Sequence, residues 1–233
     1  MEQLRSGIAG FDAATNGGLP RGTRTVLFGP PGTGKTVFAM QFLWTGLQAG
    51  ETVACLVSDR PLAHLERYFA SFGWDIRPYE QSGHFIAAQS FPPLPDAARE
   101  PGLLMLPEGD LDALRAFGAR LRERGVTRFV AGEQSQAAFS LTPIEKSAAL
   151  GQWLAGWAFD NNANVLEIVT ATQLDIEGHR SWSLNLKCVH NVIQFRIDGA
   201  RRSVRIPKME GAEHPLEWVP IEITPHGIEM GVA

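Results

Sequence analysis

Eight consecutive residues, Gly29-Pro30-Pro31-Gly32-Thr33-Gly34-Lys35-Thr36, satisfy the phosphate-loop pattern G-x-x-x-x-G-K-[ST] in full. Such a loop works only between a strand and a helix. Its glycines let backbone N–H groups curl inward around an anion, and the helix that follows adds its positive N-terminal end. The flanks meet that demand. Thr23 to Phe28 is β-branched and apolar and reads as a strand. Val37 to Trp44, followed by Leu47, reads as a helix with Phe38, Phe42 and Leu43 toward a core. The pattern gives Lys35 reach to the outer phosphates and the Thr36 hydroxyl a place on Mg²⁺. Gly29, Pro31, Gly32, Thr33, Gly34, Lys35, Thr36 and Val37 are thus the expected binding set for a nucleoside triphosphate.

The 233 residues suffice for one large α/β domain, and no Pro/Gly/Ser linker divides them, so a single domain over 1–233 is expected. Hydrophobic residues at 44% and charged residues at 20% are ordinary for a globular chain. Cys55, inside an apolar run, and Cys188 form no disulfide framework. No apolar stretch is long enough to span a membrane, and the N-terminus lacks a secretory pattern, so the expected place is the cytosol. A net charge of −4 gives no global reason for nucleic-acid binding. Arg201-Arg202, with Arg196 and Arg205 nearby, is the best basic patch and reads first as a charged hairpin surface.

Along the chain, apolar strands alternate with amphipathic helices, the pattern of a mostly parallel sheet covered by helices. Strands are expected at 52–57, 85–88, 128–131 and 165–170, and helices at 62–72, 111–124 and 142–161. Asp110 and Thr142 serve as helix caps, and Gly73 and Gly125 as stops. Residues 91–107, with five prolines, read as an irregular loop. Trp153 and Trp157, four apart on a helix, read as core or subunit-contact residues. His64, His84, His179 and His190 show no metal spacing with the cysteines. After Ser183 the pattern changes to two hairpins, one about 198–202 and one about Pro225-His226. The fold class is therefore α/β, with antiparallel C-terminal strands added to a parallel sheet.

Several further segments resemble the KaiC-like branch of the RecA-type P-loop ATPases, the superfamily that also holds RadA-like recombinases. Arg5-Ser6-Gly7-Ile8-Ala9-Gly10-Phe11-Asp12, then Gly17-Gly18-Leu19-Pro20-Arg21-Gly22, resemble that family's lead into the loop. Gln41-Phe42-Leu43 with Gly46, Ser71-Phe72-Gly73-Trp74-Asp75, Lys208-Met209-Glu210-Gly211 with His214, and Ile223-Thr224-Pro225-His226-Gly227-Ile228 follow in family order. The resemblance implies a RecA-like core, ATP with Mg²⁺, and a homo-oligomer, frequently a hexameric ring, with nucleotide between subunits. It further implies that Lys208 and His214 reach ATP on the adjacent subunit.

Three departures fall on hydrolysis. Where the family places two adjacent glutamates after a strand, this chain has Ser58-Asp59-Arg60-Pro61. Asp59 matches one glutamate or the other, is a methylene shorter, and has Arg60 beside it to weaken it as a base. It remains a candidate catalytic residue, as base, water-orienting group or magnesium ligand. Gly132 stands where the metal-orienting aspartate is expected, with Glu133 one place later. Alternation along a strand points Glu133 the other way unless the backbone bends at Gly132, and Glu133 is the second candidate carboxylate. Finally, the family's Lys-x-Arg pair, whose arginine acts as a finger on the γ-phosphate, becomes Lys208-Met209-Glu210. An arginine finger is worth about 10³–10⁵ in rate. Lys35, Asp59 and Glu133 are therefore the candidate catalytic set of a weakened hydrolase. The leading expectation is an ATP-binding regulatory or signalling module with an unnamed protein partner. The alternatives are an ATPase with relocated carboxylates and a recombinase-like DNA-binding ATPase.

Overall fold

The β-branched runs line up as one sheet around the strand that feeds the phosphate loop. The computed structural model describes residues 2–57, 61–89, 104–106, 110–132, 144–170 and 188–231. In chain order the strands are β1 (Gln3–Leu4), β2 (Leu19–Pro20), β3 (Arg24–Gly29), β4 (Thr52–Val57), β5 (Phe85–Gln89) and β6 (Leu104–Met105). They continue with β7 (Val126–Ala131), β8 (Asn164–Thr170), β9 (Asn191–Asp198), β10 (Arg201–Met209), β11 (Val219–Thr224) and β12 (Gly227–Met230). The helices are α1 (Ala9–Ala14), α2 (Lys35–Gln48), α3 (Leu62–Ala70), α4 (Arg77–Ser82), α5 (Leu111–Glu123) and α6 (Ile144–Asp160).

The main sheet has the order β12-β11-β10-β9-β3-β8-β7-β4-β5-β6. From β9 to β6 neighbours are parallel, and from β9 to β12 they are antiparallel. The parallel sheet with an antiparallel C-terminal extension is thus as the hydropathy pattern predicts. β3 lies at the centre, flanked by β8 and β9, so its loop leaves from the carboxyl edge of the parallel strands, where α/β sheets hold their ligands.

The sheet separates two cores. On one face Phe11, Phe38, Phe42, Leu43 and Phe69 pack with Ile193 and Phe195. On the other, Phe117 and Leu121 of α5 pack with Leu154 and Trp157 of α6 over Phe129. Trp157, a core residue, also donates its indole N–H to the Gly118 carbonyl at 2.9 Å, and the partly buried Trp153 packs against the same core. Asp110 caps α5 through Asp112 N–H and Ala113 N–H, both at 3.0 Å, and Gly125 follows in a left-handed conformation.

Five short elements escaped the periodicity, among them the two-residue strands β1 and β2, which pair with each other. α1 and α4 are six residues each, too short for a helical repeat to show. Leu104–Met105 lies within the proline-rich stretch read as irregular, yet pairs in parallel with Ala88 and Gln89 as an edge strand. The first C-terminal hairpin is also tighter than its sequence suggests, with Arg201 already paired to Asp198. Among the described residues no helix is long and apolar enough to cross a membrane. The Thr142 cap lies outside the described residues.

Arg128 of β7, 2% exposed, joins three parts of the chain. It donates to Arg5 O at 2.7 Å and Phe42 O at 2.9 Å, stacks over the Phe42 ring at 4.5 Å, and pairs with Glu51 at 2.9 Å. Burial pulls the Glu51 carboxyl upward, but the hydrogen bonds and charge of Arg128, with the Thr127 hydroxyl, outweigh it and hold the group below its ordinary 4.5. A carboxyl with a depressed folded-state pKa contributes stability that is present above the unfolded value and lost as pH falls through the folded one. Acidification from pH 5 downward should therefore erode stability in part through Glu51. Glu51→Gln should lower the urea midpoint at pH 7 and flatten its fall between pH 5 and pH 3, as followed by circular dichroism.

Candidate functional site

The loop is formed by close approach to a neighbouring strand. Gly29 ends β3 at φ 149°, and a Cβ there would overlap the carbonyl oxygen of Phe195 on β9. Beyond it, the Thr33 hydroxyl donates to Pro30 O at 2.8 Å, which closes the turn. Gly34 at φ 106° then hands the chain to α2, fourteen residues long, whose first residue is Lys35. Pro31 and Gly32 are exposed and Thr33 is buried, as is Val37 in the first turn of the helix.

The C-terminal strands wall the loop. Arg202 of β10 donates Nε–H to the Gly32 carbonyl at 3.0 Å. The side-chain tips of Ile221, Ile223 and Ile228 stand 3.4–3.8 Å from where a Gly34 Cβ would be. Sequence reasoning missed these residues as part of the site, treating Arg202 as surface charge. The signal was the hairpin itself, whose two-residue turn pairs Arg202 with Ile197 at the top of the sheet.

Lys35 is 3% exposed, and its ammonium donates to Gly29 O at 2.7 Å and to Pro30 O at 2.8 Å. The positive group thus lies across the loop, inside the ring of backbone. A helix N-terminus and a buried ammonium at one point are donors that a polyphosphate requires, so the residues fit a nucleotide's phosphates.

The metal side is poorer. Thr36 lines a cavity of about 40 Å³ together with Val57, Val130, Gly132 and Ile168 at the tips of β4, β7 and β8. Gly132 N–H continues the ladder to Leu56 O at 3.0 Å. It therefore keeps strand alternation with Val130 and shares its face. The position that looks at Thr36 carries a hydrogen where the family pattern has a carboxylate. Asp59 and Glu133 lie outside the described residues. Among the described residues, Thr36 is the side chain here whose hydroxyl could hold Mg²⁺.

Lys208 and His214 are not brought to this loop. Lys208 pairs with Val192, which pairs with Val26 on β3, three residues before Gly29 and so about 10 Å back along the strand. Its ammonium points further away, donating to Val189 O at 2.6 Å and pairing with Glu210 at 2.8 Å. His214 is half-buried, with Nδ1 3.0 Å from Ala212 O.

Comparison with known proteins agrees with this architecture. A family model described as the KaiC ATPase matches residues 4–124, just over half of the chain. The circadian clock protein KaiC3 of Synechocystis is 30% identical over 96% of this chain, which spans only 44% of that relative's length. A UPF0273 protein of Pyrococcus furiosus is 28% identical, with 98% of this chain and 93% of the relative covered. The crystal structure of a KaiC-like protein from Pyrococcus horikoshii superposes with a TM-score of 0.78 at 26% identity, covering 98% of both chains. With its phosphate loop on a central parallel sheet, this chain belongs to the KaiC ATPase family of RecA-type P-loop proteins.

Proposed function

We propose that this protein is an ATP-binding regulatory or signalling module that holds Mg-ATP between subunits of a homo-oligomer, a hexameric ring by family analogy, and hydrolyses it slowly or not at all. Nucleotide occupancy sets the assembly and, through it, a surface for a protein partner. The observation that carries this reading is Gly132, which occupies the strand position facing Thr36 while every binding element of the loop is in place. Phosphates would draw Lys35 from the carbonyls of Gly29 and Pro30, and Mg²⁺, held by the Thr36 hydroxyl, would supply charge neutralisation. Gly132 offers no carboxylate to orient that metal. Lys208, a neighbour-facing cation by analogy, is already paired with Glu210. Both features subtract from transition-state stabilisation and leave ground-state binding intact.

The test is one purified sample assayed for ATP affinity, steady-state turnover and mass by light scattering. The expected result is tight Mg-ATP binding, a nucleotide-dependent oligomer, and turnover on the order of 10⁻³ s⁻¹ or slower, as in P-loop proteins that lack a finger. Faster turnover that disappears in Lys35→Ala contradicts the reading and assigns the chemistry to Asp59 and Glu133. Lys35→Ala should weaken ATP binding about 10–100-fold, the equivalent of a charge-assisted hydrogen bond of about 1.5–3 kcal/mol, as measured by titration calorimetry. Gly132→Asp should raise Mg²⁺-dependent turnover about ten-fold or more by returning a metal-orienting carboxylate. A phosphate-release assay over a magnesium titration reads it.

A further inference from the structure

Five of the chain's 21 lysines and arginines fall between residues 196 and 208, against one acid, Asp198, in a chain whose net charge is −4. The strand register sorts them onto two faces. Arg202 shares a face with the buried Val204 and Ile206 and contacts the chain's own phosphate loop. Arg205 stands opposite Gln194, Arg196 opposite Ser203, and Lys208 opposite Val192. Val192, Gln194 and Arg196 alternate along β9 and so lie on the other face. Arg205 and Lys208 are three residues apart, a spacing that puts them on opposite faces of a regular strand. The register shift between them absorbs one residue and returns Lys208 to the face of Arg205. One outward face thus carries Arg196, Arg205 and Lys208, with successive positions about 7 Å apart along the strand.

Trp218 holds the two arginines. The Arg196 and Arg205 guanidinium carbons lie 4.1 Å and 4.7 Å from its ring centroid. Arg205 also donates Nε–H to Gln194 at 2.9 Å, and Arg196 Nε is buried without a hydrogen-bond partner. Stacking on a ring orients a guanidinium but leaves its charge and its forked donors available. Lys208 differs, because Glu210 already pairs with it.

We infer that Arg205, positioned by Trp218 and Gln194 and accompanied by Arg196, is a cation this chain presents to the polyphosphate of a nucleotide held by a second copy, where it favours nucleotide-dependent assembly. The inference rests on the subunit-interface reading above. Because Arg202 serves the chain's own loop from the opposite face, a phosphate that meets Arg205 must come from another molecule. Forked guanidiniums suit phosphate oxygens. The ring of Trp218 is occupied by the arginines, which leaves it unsuited to the base stacking that single-stranded nucleic acid uses.

The test compares the full chain with Arg205→Ala and Arg205→Lys, titrating Mg-ATP and following mass by light scattering. Arg205→Ala should need at least about ten-fold more ATP to assemble, and Arg205→Lys much less than that. Arg205→Ala mixed with Lys35→Ala should form a mixed dimer where neither associates alone, because one supplies the loop and the other the arginine at a single intact junction. A folding defect would show as a lower melting temperature without nucleotide and would not be cured by mixing. Wild type that fails to assemble with Mg-ATP removes the interface reading itself. Wild type that assembles while Arg205→Ala matches it, or a mixture without recovery, overturns this inference alone. Salt-sensitive binding of single-stranded DNA that is lost in Arg205→Ala reassigns the face to nucleic acid and overturns it too.

Discussion

The contact between Gly29 and the backbone of Phe195 is the constraint on which the site depends. It requires glycine at the end of β3 because the neighbouring carbonyl occupies the space of a Cβ. Through it, β9 lies close against the strand that feeds the phosphate loop, and β10 to β12 follow in antiparallel order. The C-terminal strands thus become the wall of the nucleotide site, with Arg202 on the Gly32 carbonyl and isoleucines against Gly34. The opposite face of the same two strands carries Arg196, Arg205 and Lys208. A two-stranded ribbon therefore has one side committed to its own loop and one side turned outward, the geometry by which one subunit's nucleotide and another's cations can share a boundary.

The N-terminal signature that carries much of the family resemblance proves architectural. The Asp12 carboxylate accepts from Ser6 N–H at 2.8 Å, the Ser6 hydroxyl at 2.6 Å and Gly7 N–H at 3.2 Å. Gly7 at φ 82° leaves no room for a side chain beside Thr45 of α2. Gln41 then joins both chain ends to this helix, donating to Gly7 O at 2.9 Å and accepting Ile228 N–H at 2.7 Å. These residues fix how α2 seats on the sheet. They support the chemistry only by aiming the helix N-terminus at the loop.

Much of this was legible in the sequence, and the reasons differ by residue. The loop announces itself because its chemistry is local, with every essential group within eight residues. Buried parallel strands such as Thr52–Val57 read as unbroken apolar runs, and the Asp110 cap reads from one side chain and the residues after it. Arg202, Ile221, Ile223 and Ile228 could not be assigned to the site, because they reach it through sheet register across more than 160 residues of chain. The shared face of Arg205 and Lys208 was equally hidden, since spacing alone places them on opposite sides until the bulge is known. Gly132 was legible as an anomaly, but its meaning came from the ladder bond to Leu56 and the cavity it shares with Thr36.

Binding and hydrolysis are separable here because they use different atoms. In the proposed reading, binding is built from the backbone of residues 29–36 and Lys35, whereas hydrolysis would call on carboxylates at strand tips and on a partner's cations. The most direct test of that separation is to load the protein with one equivalent of γ-labelled ATP and Mg²⁺, then quench samples over an hour and separate the bound nucleotides. The account predicts that most of the label remains as bound ATP throughout. Rapid conversion to ADP and phosphate on the protein, within seconds, would contradict it, even if slow product release kept the steady-state rate low.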